Sequence, residues 1–324
     1  MAGKRENFMA VAPDAVRWAY RLLLDREPES EAVVQGYVGA PDVATLRNIF
    51  LNSDEYRAKN GDDYRIGRYT EVTSVPVQVE ASEGEIRAMM DRIAREWRNF
   101  GETEPHWSVL TSDQFVAANI AETIDLFYAS GFGDLPRFFS PLARAGLPAE
   151  RTGKVLDFGC GVGRLSLALA TRADSVLGVD ISPPHIRLAR ERTEQEKVGN
   201  VDFLAIDKPD DLDALSGFDM VVSLIVLQHN PPPVMATLLE KLLRALAPGG
   251  VAVIQLPTFI RDYRFSVADY LSNAQPPMEM NALPQPAVFA IAARTGCRML
   301  EVREDHCTGT LPGVSQTFVF QRAG

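Results

Sequence analysis

A run of alternating glycines, Gly159-Cys160-Gly161-Val162-Gly163, follows the apolar stretch Val155-Leu156-Asp157-Phe158 and leads directly into Arg164 and an apolar helical segment. That order reads as a strand, a tight turn and a helix N-terminus in succession. Backbone N–H groups then converge on whatever occupies the turn, and glycine lets a ligand approach the main chain closely. Seventeen residues beyond Gly163 the next apolar stretch ends in Asp180, where a carboxylate is placed to accept hydrogen bonds from both hydroxyls of a ribose. A dinucleotide-binding turn has the same outline. Its third glycine, however, stands three positions after the second, and that position is Arg164.

The order Asp157-x-Gly159-x-Gly161-x-Gly163 resembles the first motif of S-adenosylmethionine-dependent methyltransferases with a Rossmann-like fold. Further stretches are similar to the same family, in the same order: Asp180, the pair Ile206-Asp207, Phe218–Ser223, and Leu246-Ala247-Pro248-Gly249-Gly250. The resemblance implies S-adenosylmethionine as cofactor and S-adenosylhomocysteine as product. It places Asp157, Gly159, Gly161 and Gly163 around the methionine moiety, Asp180 at the ribose and Asp207 at the adenine amino group, with Cys160, Ile181, Ile206 and Leu224 completing the expected contacts. Cys160 reads foremost as a small buried filler, and Arg164 as a residue paired within its own domain. A sulfonium cation suits acidic side chains better than a pyrophosphate would.

Methyl transfer is an in-line displacement, so the enzyme chiefly aligns two groups and removes water, and a base helps when the acceptor is a hydroxyl. The chain has four histidines. His229, in Leu227-Gln228-His229-Asn230-Pro231, follows the fourth strand, and ligands of open α/β sheets sit outside the carboxyl ends of the strands. It is the first candidate for a base, with turn packing as the competing reading. His306 and His106 are further candidates, whereas His185, in the helix after Asp180, reads as a surface residue. Trp107 is expected to wall the cofactor or substrate. The segment Phe259–Leu283 carries Arg261, Tyr263, Arg264, Tyr270, Met278, Glu279 and Met280 and is the expected acceptor-recognition insertion. No His, Cys or carboxylate spacing suggests a metal site.

These residues need elements to hold them. From Gly153 onward apolar stretches alternate with amphipathic ones, predicting strands at Lys154–Phe158, Ser175–Asp180, Val201–Ile206, Phe218–Val226, Gly250–Leu256, Arg298–Arg303 and Val314–Arg322. Helices are predicted at Leu165–Thr171, Pro184–Gln195, Pro233–Leu246 and Gln285–Thr295. The fold class is α/β: a Rossmann-like, seven-stranded, mostly parallel sheet with helices on both faces, plus a small all-helical N-terminal domain. The expected organisation is a helical accessory domain at 1–60, a linker or strap at 61–82, a helical lid segment at 83–150 and the catalytic domain at 151–324. Within the lid segment, an amphipathic helix ends near Phe100-Gly101, and two helices follow at about Asp113–Ser130 and Leu135–Ala145.

The chain's 324 residues carry a net charge of −10, of which −8 falls in residues 1–150, so a phosphate-binding surface for nucleic acid is not expected. Asn-Pro-Pro-Tyr and Pro-Cys motifs of base methylation are absent after the fourth strand. Three scattered cysteines and the lack of a leader or an eighteen-residue apolar run lead us to expect a cytoplasmic protein without membrane insertion. The stretch Ala19–Pro28 followed by Phe50–Tyr56 is similar to a short helical domain of unknown function that often accompanies bacterial surface-polysaccharide enzymes. That resemblance implies a sugar acceptor. The reading is therefore O-methylation of a small molecule or glycan, by a possible homodimer. N- or C-methylation of a natural product or amino sugar, and a non-catalytic binding module, stand as alternatives. An NAD-dependent enzyme is disfavoured by Arg164.

Overall fold

The computed structural model describes residues 11–60, 77–305, 307 and 313–324. The chain divides into two compact units, residues 1–74 and 75–324. The first contains helices α1 (Pro13–Leu24), α2 (Glu31–Val38), α3 (Val43–Leu51) and α4 (Asp54–Asn60). Pro13 opens α1 where its missing N–H costs nothing, and the Ser30 and Asp42 side chains cap α2 and α3. Val16, Tyr20, Leu24, Val34, Leu46 and Phe50 close a small core, with the Tyr20 and Phe50 rings edge to face at 4.9 Å.

The second unit is built on strands β1 (Thr152–Phe158), β2 (Ala173–Asp180), β3 (Val201–Ala205), β4 (Phe218–Ser223), β5 (Leu246–Ile260), β6 (Cys297–Glu304) and β7 (Gly313–Arg322). They form one sheet in the order β3-β2-β1-β4-β5-β7-β6, with β7 antiparallel between β5 and β6. The helices are α5 (Glu83–Thr103), α6 (Ile120–Arg144), α7 (Arg164–Ala170), α8 (Pro183–Gln195), α9 (Pro232–Arg244), α10 (Val267–Ser272) and α11 (Gln285–Arg294). Central strands carry continuous apolar runs because both faces are covered, and alternate side chains serve different cores. Leu156, Val221, Ala252 and Ile254 join α5, α9 and α11, whereas Val155, Met220, Val222, Val251 and Val253 join α6, α7 and α8.

Three sequence expectations are corrected here. The two helices expected at 113–130 and 135–145 are a short turn at Asp113–Phe115 followed by a single helix α6, which carries Pro136 and Pro141 in its interior. Its buried face, Phe127, Tyr128, Gly131, Leu135, Phe138, Phe139 and Leu142, keeps one helical period throughout, so packing overrides the prolines. Helix α5 continues past Gly101 to Thr103. Gly101 is a close-approach residue instead of a helix stop: a Cβ there would fall 2.6 Å from Ser182 Oγ and 2.8 Å from His185 Nδ1. Finally, β5 begins before Pro248-Gly249-Gly250, which form a bulge where the pairing jumps from Phe218↔Leu246 to Met220↔Val251.

The strap expected at 61–82 lies largely outside the described residues. Its last part belongs to the sheet-bearing unit: Val77 bridges Phe265, Gln78 N donates to Phe265 O at 3.0 Å, and Ser82 caps α5 in a reciprocal box with Glu85.

Candidate active site

The carboxyl ends of β1 and β4 sit side by side although β2 and β3 intervene in sequence, and a sheet opens a crevice where strand order reverses in this way. A cavity of about 620 Å³ lies there. Gly159 and Gly161, both at positive φ (76° and 53°), form its floor. A Cβ on Gly159 would overlap Val226, and one on Gly161 would come within 2.6 Å of Val109 Cγ2, so the turn is a cradle only glycine can make. Gly163, at φ 82°, is the N-cap of α7 and packs against Phe203, away from the cavity lining.

Asp180 ends β2 at the cavity edge. Its Oδ2 accepts from Gly161 N at 2.9 Å and its Oδ1 from Ser182 N at 2.9 Å, which fixes the carboxylate against both turns and leaves lone pairs for a ligand. Ile181, Ile206 and Leu224 line the same space. Asp157 lies beneath it: the side chain is 2% exposed and accepts from Ser166 Oγ at 2.6 Å. Burial raises its pKa to about 6 against the Ser166 bond and the Arg164 charge, with Asp180 adding to the rise. Cys160 is buried beside Gly178 as a filler, and Arg164 pairs with Asp134 at 2.8 Å.

His229 follows β4 in a single helical turn, Leu227–His229, and lines the cavity. Its Nδ1 lies 3.0 Å from the carbonyl of Glu279, and a carbonyl only accepts, so Nδ1 carries the hydrogen and Nε2 keeps a lone pair. Burial lowers the imidazole pKa, the carbonyl contact opposing it, so the ring is held neutral. Its centroid is 5.4 Å from that of Trp97.

Several expected residues stand elsewhere. Asp207 is 79% exposed, pairs with Arg98 at 2.8 Å and does not line the cavity. His106 stands edge to face with Phe127 at 5.0 Å, where burial pushes its pKa down to about 4, and Trp107 neighbours Phe100; neither lines the cavity. Their segment reaches the site through Ser108, Val109, Leu110 and Thr111 instead. Arg261 and Arg264 are exposed, and Arg264 and Tyr270 border a different depression with Phe265 and Asn273. Of the insertion, Met278 and Met280 line the cavity, while Tyr270 Oη donates to Glu279 Oε1 at 2.5 Å and Tyr263 Oη to Asn281 Oδ1 at 2.6 Å. These two tyrosines hold the loop. His306 lies outside the described residues, although Cys307 beside it lines the cavity.

The sequence reading missed His185. It is 1% exposed, with Nδ1 2.7 Å from Ser182 Oγ and Nε2 2.9 Å from Ser108 Oγ, and it lines the cavity. The pattern Ser182-x-x-His185 at a helix start directly after Asp180 was a usable signal. Met90, Ile93 and Trp97 of α5 also form cavity wall. So does Ile225, a β-branched residue at φ 58°, whose N donates to Gln255 Oε1 at 2.7 Å.

Comparison with known proteins agrees with this geometry. Residues 155–250 match the methyltransferase domain family. The match runs from β1 to the bulge of β5 and so contains the glycine cradle, Asp180 and His229. Over 98 residues the chain is 34% identical to a ubiquinone biosynthesis O-methyltransferase of Acinetobacter baylyi, covering 30% of this chain and 40% of that one. It is 39% identical over 97 residues to a magnesium-protoporphyrin O-methyltransferase of Rhodobacter capsulatus, covering 30% and 42%. A ubiquinone biosynthesis O-methyltransferase of Pseudomonas aeruginosa is 36% identical over 139 residues, covering 41% and 56%. The chain thus spans about half the length of these curated relatives. The crystal structure of a magnesium protoporphyrin IX methyltransferase from Synechocystis with bound S-adenosylhomocysteine shares the fold, with a TM-score of 0.50 at 20% identity over 72% of this chain and 99% of that one. The sheet-bearing unit of this chain therefore has a Rossmann-like fold, with the seven-stranded, mostly parallel sheet expected.

The residues lining the cavity fit an adenosyl sulfonium ligand. They include a carboxylate and a glycine cradle, and among the described lining residues there is neither Lys nor Arg to hold a pyrophosphate.

Proposed function

We propose that the protein is an S-adenosylmethionine-dependent methyltransferase that acts on an oxygen of a small molecule, with His229 as the base. When bound, S-adenosylmethionine would supply an electrophilic methyl carbon, from which an oxygen nucleophile displaces the neutral thioether in line. Asp180 would accept hydrogen bonds from the ribose, the Gly159–Gly161 turn would admit the methionine moiety, and Ile181, Ile206 and Leu224 would flank the adenosine. Asp157, beneath the turn, would support the cradle without direct contact.

One observation carries the choice of oxygen. The neutral His229 ring spends its Nδ1 hydrogen on Glu279 O and presents Nε2 as the acceptor for a hydroxyl proton in the cavity. That nitrogen would take the proton of the hydroxyl as its oxygen is methylated. The O-methyltransferase names of the relatives support the same atom. Support for a sugar acceptor comes only from the resemblance of the α1–α4 unit, and the cavity lining adds none.

Two measurements test the proposal. Equilibrium titration with S-adenosylhomocysteine should show saturable binding, and protein without affinity for it or for S-adenosylmethionine overturns the reading. In His229→Ala, turnover of labelled methyl donor with the acceptor should fall about 10²–10⁴-fold while S-adenosylhomocysteine affinity stays within about threefold. Unchanged turnover would move the chemistry to an amine or to another base.

A further inference from the structure

The wall around His229 is largely apolar, and the side-chain amide donors in it are already engaged. Gln228 uses both ends, accepting from Gln255 Nε2 at 3.1 Å and donating to Met280 Sδ at 3.2 Å. Asn230 donates its amide hydrogens to the carbonyls of Val226 at 3.0 Å and Leu227 at 3.3 Å. The Glu279 carboxylate is taken by Tyr270 and Asn281 and does not line the cavity. A sugar placed here would surrender the hydration of several hydroxyls against a wall whose Gln228 and Asn230 side-chain amides already donate elsewhere, and each unpaired polar group costs free energy.

What the wall offers is aromatic and thioether surface. Trp97 and His229 make a corner, their planes inclined at 59°. Met278 and Met280 flank Glu279, the residue that receives the His229 hydrogen bond, so both belong to the His229 side. Two apolar residues of this wall, Ile225 and Met278, hold left-handed backbone (φ 58° and 51°), which L side chains other than Asn and Asp rarely adopt. Each is pinned by a buried or half-buried side chain: Ile225 N by Gln255 and Met278 N by the Glu96 carboxylate of α5. Strain held by such partners is a mark of functional walls. Thioether sulfur and an aromatic corner both favour an aromatic guest.

We infer that the acceptor is a flat, largely apolar ring carrying a hydroxyl, a phenol in its chemistry, seated between Trp97 and the Met278 and Met280 side chains with its oxygen at His229 Nε2. This inference rests on the methyltransferase reading and narrows it.

The test uses the full chain saturated with S-adenosylhomocysteine, titrated calorimetrically with 2-naphthol and catechol and, separately, with methyl glucoside and glucosamine. The phenols should bind at least about tenfold more tightly than the sugars. Met278→Asn, which suits left-handed backbone while making the wall polar, should weaken 2-naphthol at least about fivefold, leave S-adenosylhomocysteine affinity unchanged and not lower Tm. Sugars binding as well as phenols, phenols failing to bind the loaded protein, or an unchanged naphthol affinity in the variant would each overturn the acceptor class. The wild-type comparison stands even if the variant fails to fold. Failure of S-adenosylhomocysteine to bind is a separate result, and it removes the underlying methyltransferase reading as well.

Discussion

His229 Nδ1 lies 3.0 Å from the backbone carbonyl of Glu279, fifty residues further along the chain. This contact selects the imidazole tautomer, ties the turn after β4 to the insertion after β5, and leaves Nε2 with its lone pair.

The pH dependence of the reaction follows from it. Burial holds the His229 pKa below the ordinary 6.5, and a base works only when neutral. A plot of log kcat against pH should be level above 6.5 and fall only below that value, with unit slope. A midpoint above 6.5 would contradict the burial seen here.

Gln255 and Ile225 give a second prediction. Gln255 is 1% exposed and binds Ile225 N, Gln228 Oε1 and Ser315 Oγ at once. Gln255→Leu should cost about 2–4 kcal/mol in urea unfolding, because the buried partners lose their bonds. Ile225→Asn should do the opposite, raising stability by about 1 kcal/mol through relief of the left-handed strain, while acceptor KM rises and S-adenosylhomocysteine affinity holds.

Asp157 makes stability depend on pH. Its folded pKa, about 6, lies above the ordinary 3.8, so between these values the folded state holds more protons than the unfolded chain. Stability present below pH 3.8 is therefore lost as pH rises to about 6. Asp157→Asn keeps an acceptor for Ser166 and removes the titration. Relative to wild type it should gain about 3 kcal/mol between pH 4 and 7, measured by denaturant unfolding, and a constant difference across that range would refute the shift.

Helix α6 supplies a matched pair. A Cβ at Gly131 would overlap Arg164 O of α7, whereas Gly133 has open space. Gly131→Ala should destabilise by about 1–3 kcal/mol, and Gly133→Ala should stabilise by about 0.5–1 kcal/mol. Thermal unfolding of the two variants reads both signs at once.

The sheet was largely legible because its signals are local. Val251 and Val253 face one core, Ala252 and Ile254 the other, and continuous apolar stretches of that kind announce two-sided burial. Prolines and glycines misled wherever packing outweighed them, as in α6 and at Gly101, whose missing side chain lets α5 settle against His185 and Ser182. The charged and aromatic residues of the insertion drew attention as substrate contacts, yet Tyr263 and Tyr270 secure the loop while the plainer Met278 and Met280 reach the cavity.

By itself the sequence determined the succession of the seven strands, the glycine cradle and the carboxylate at the end of β2, since each depends on residues at fixed short spacing along one strand or turn. Tertiary structure decided the rest. It brought Trp97, Ile225, His229 and Met278 to one wall, buried His185, and moved Asp207 and His106 out of the cavity lining. Those outcomes depend on packing between segments distant in the chain, and residue spacing carries no information about which distant surfaces will meet.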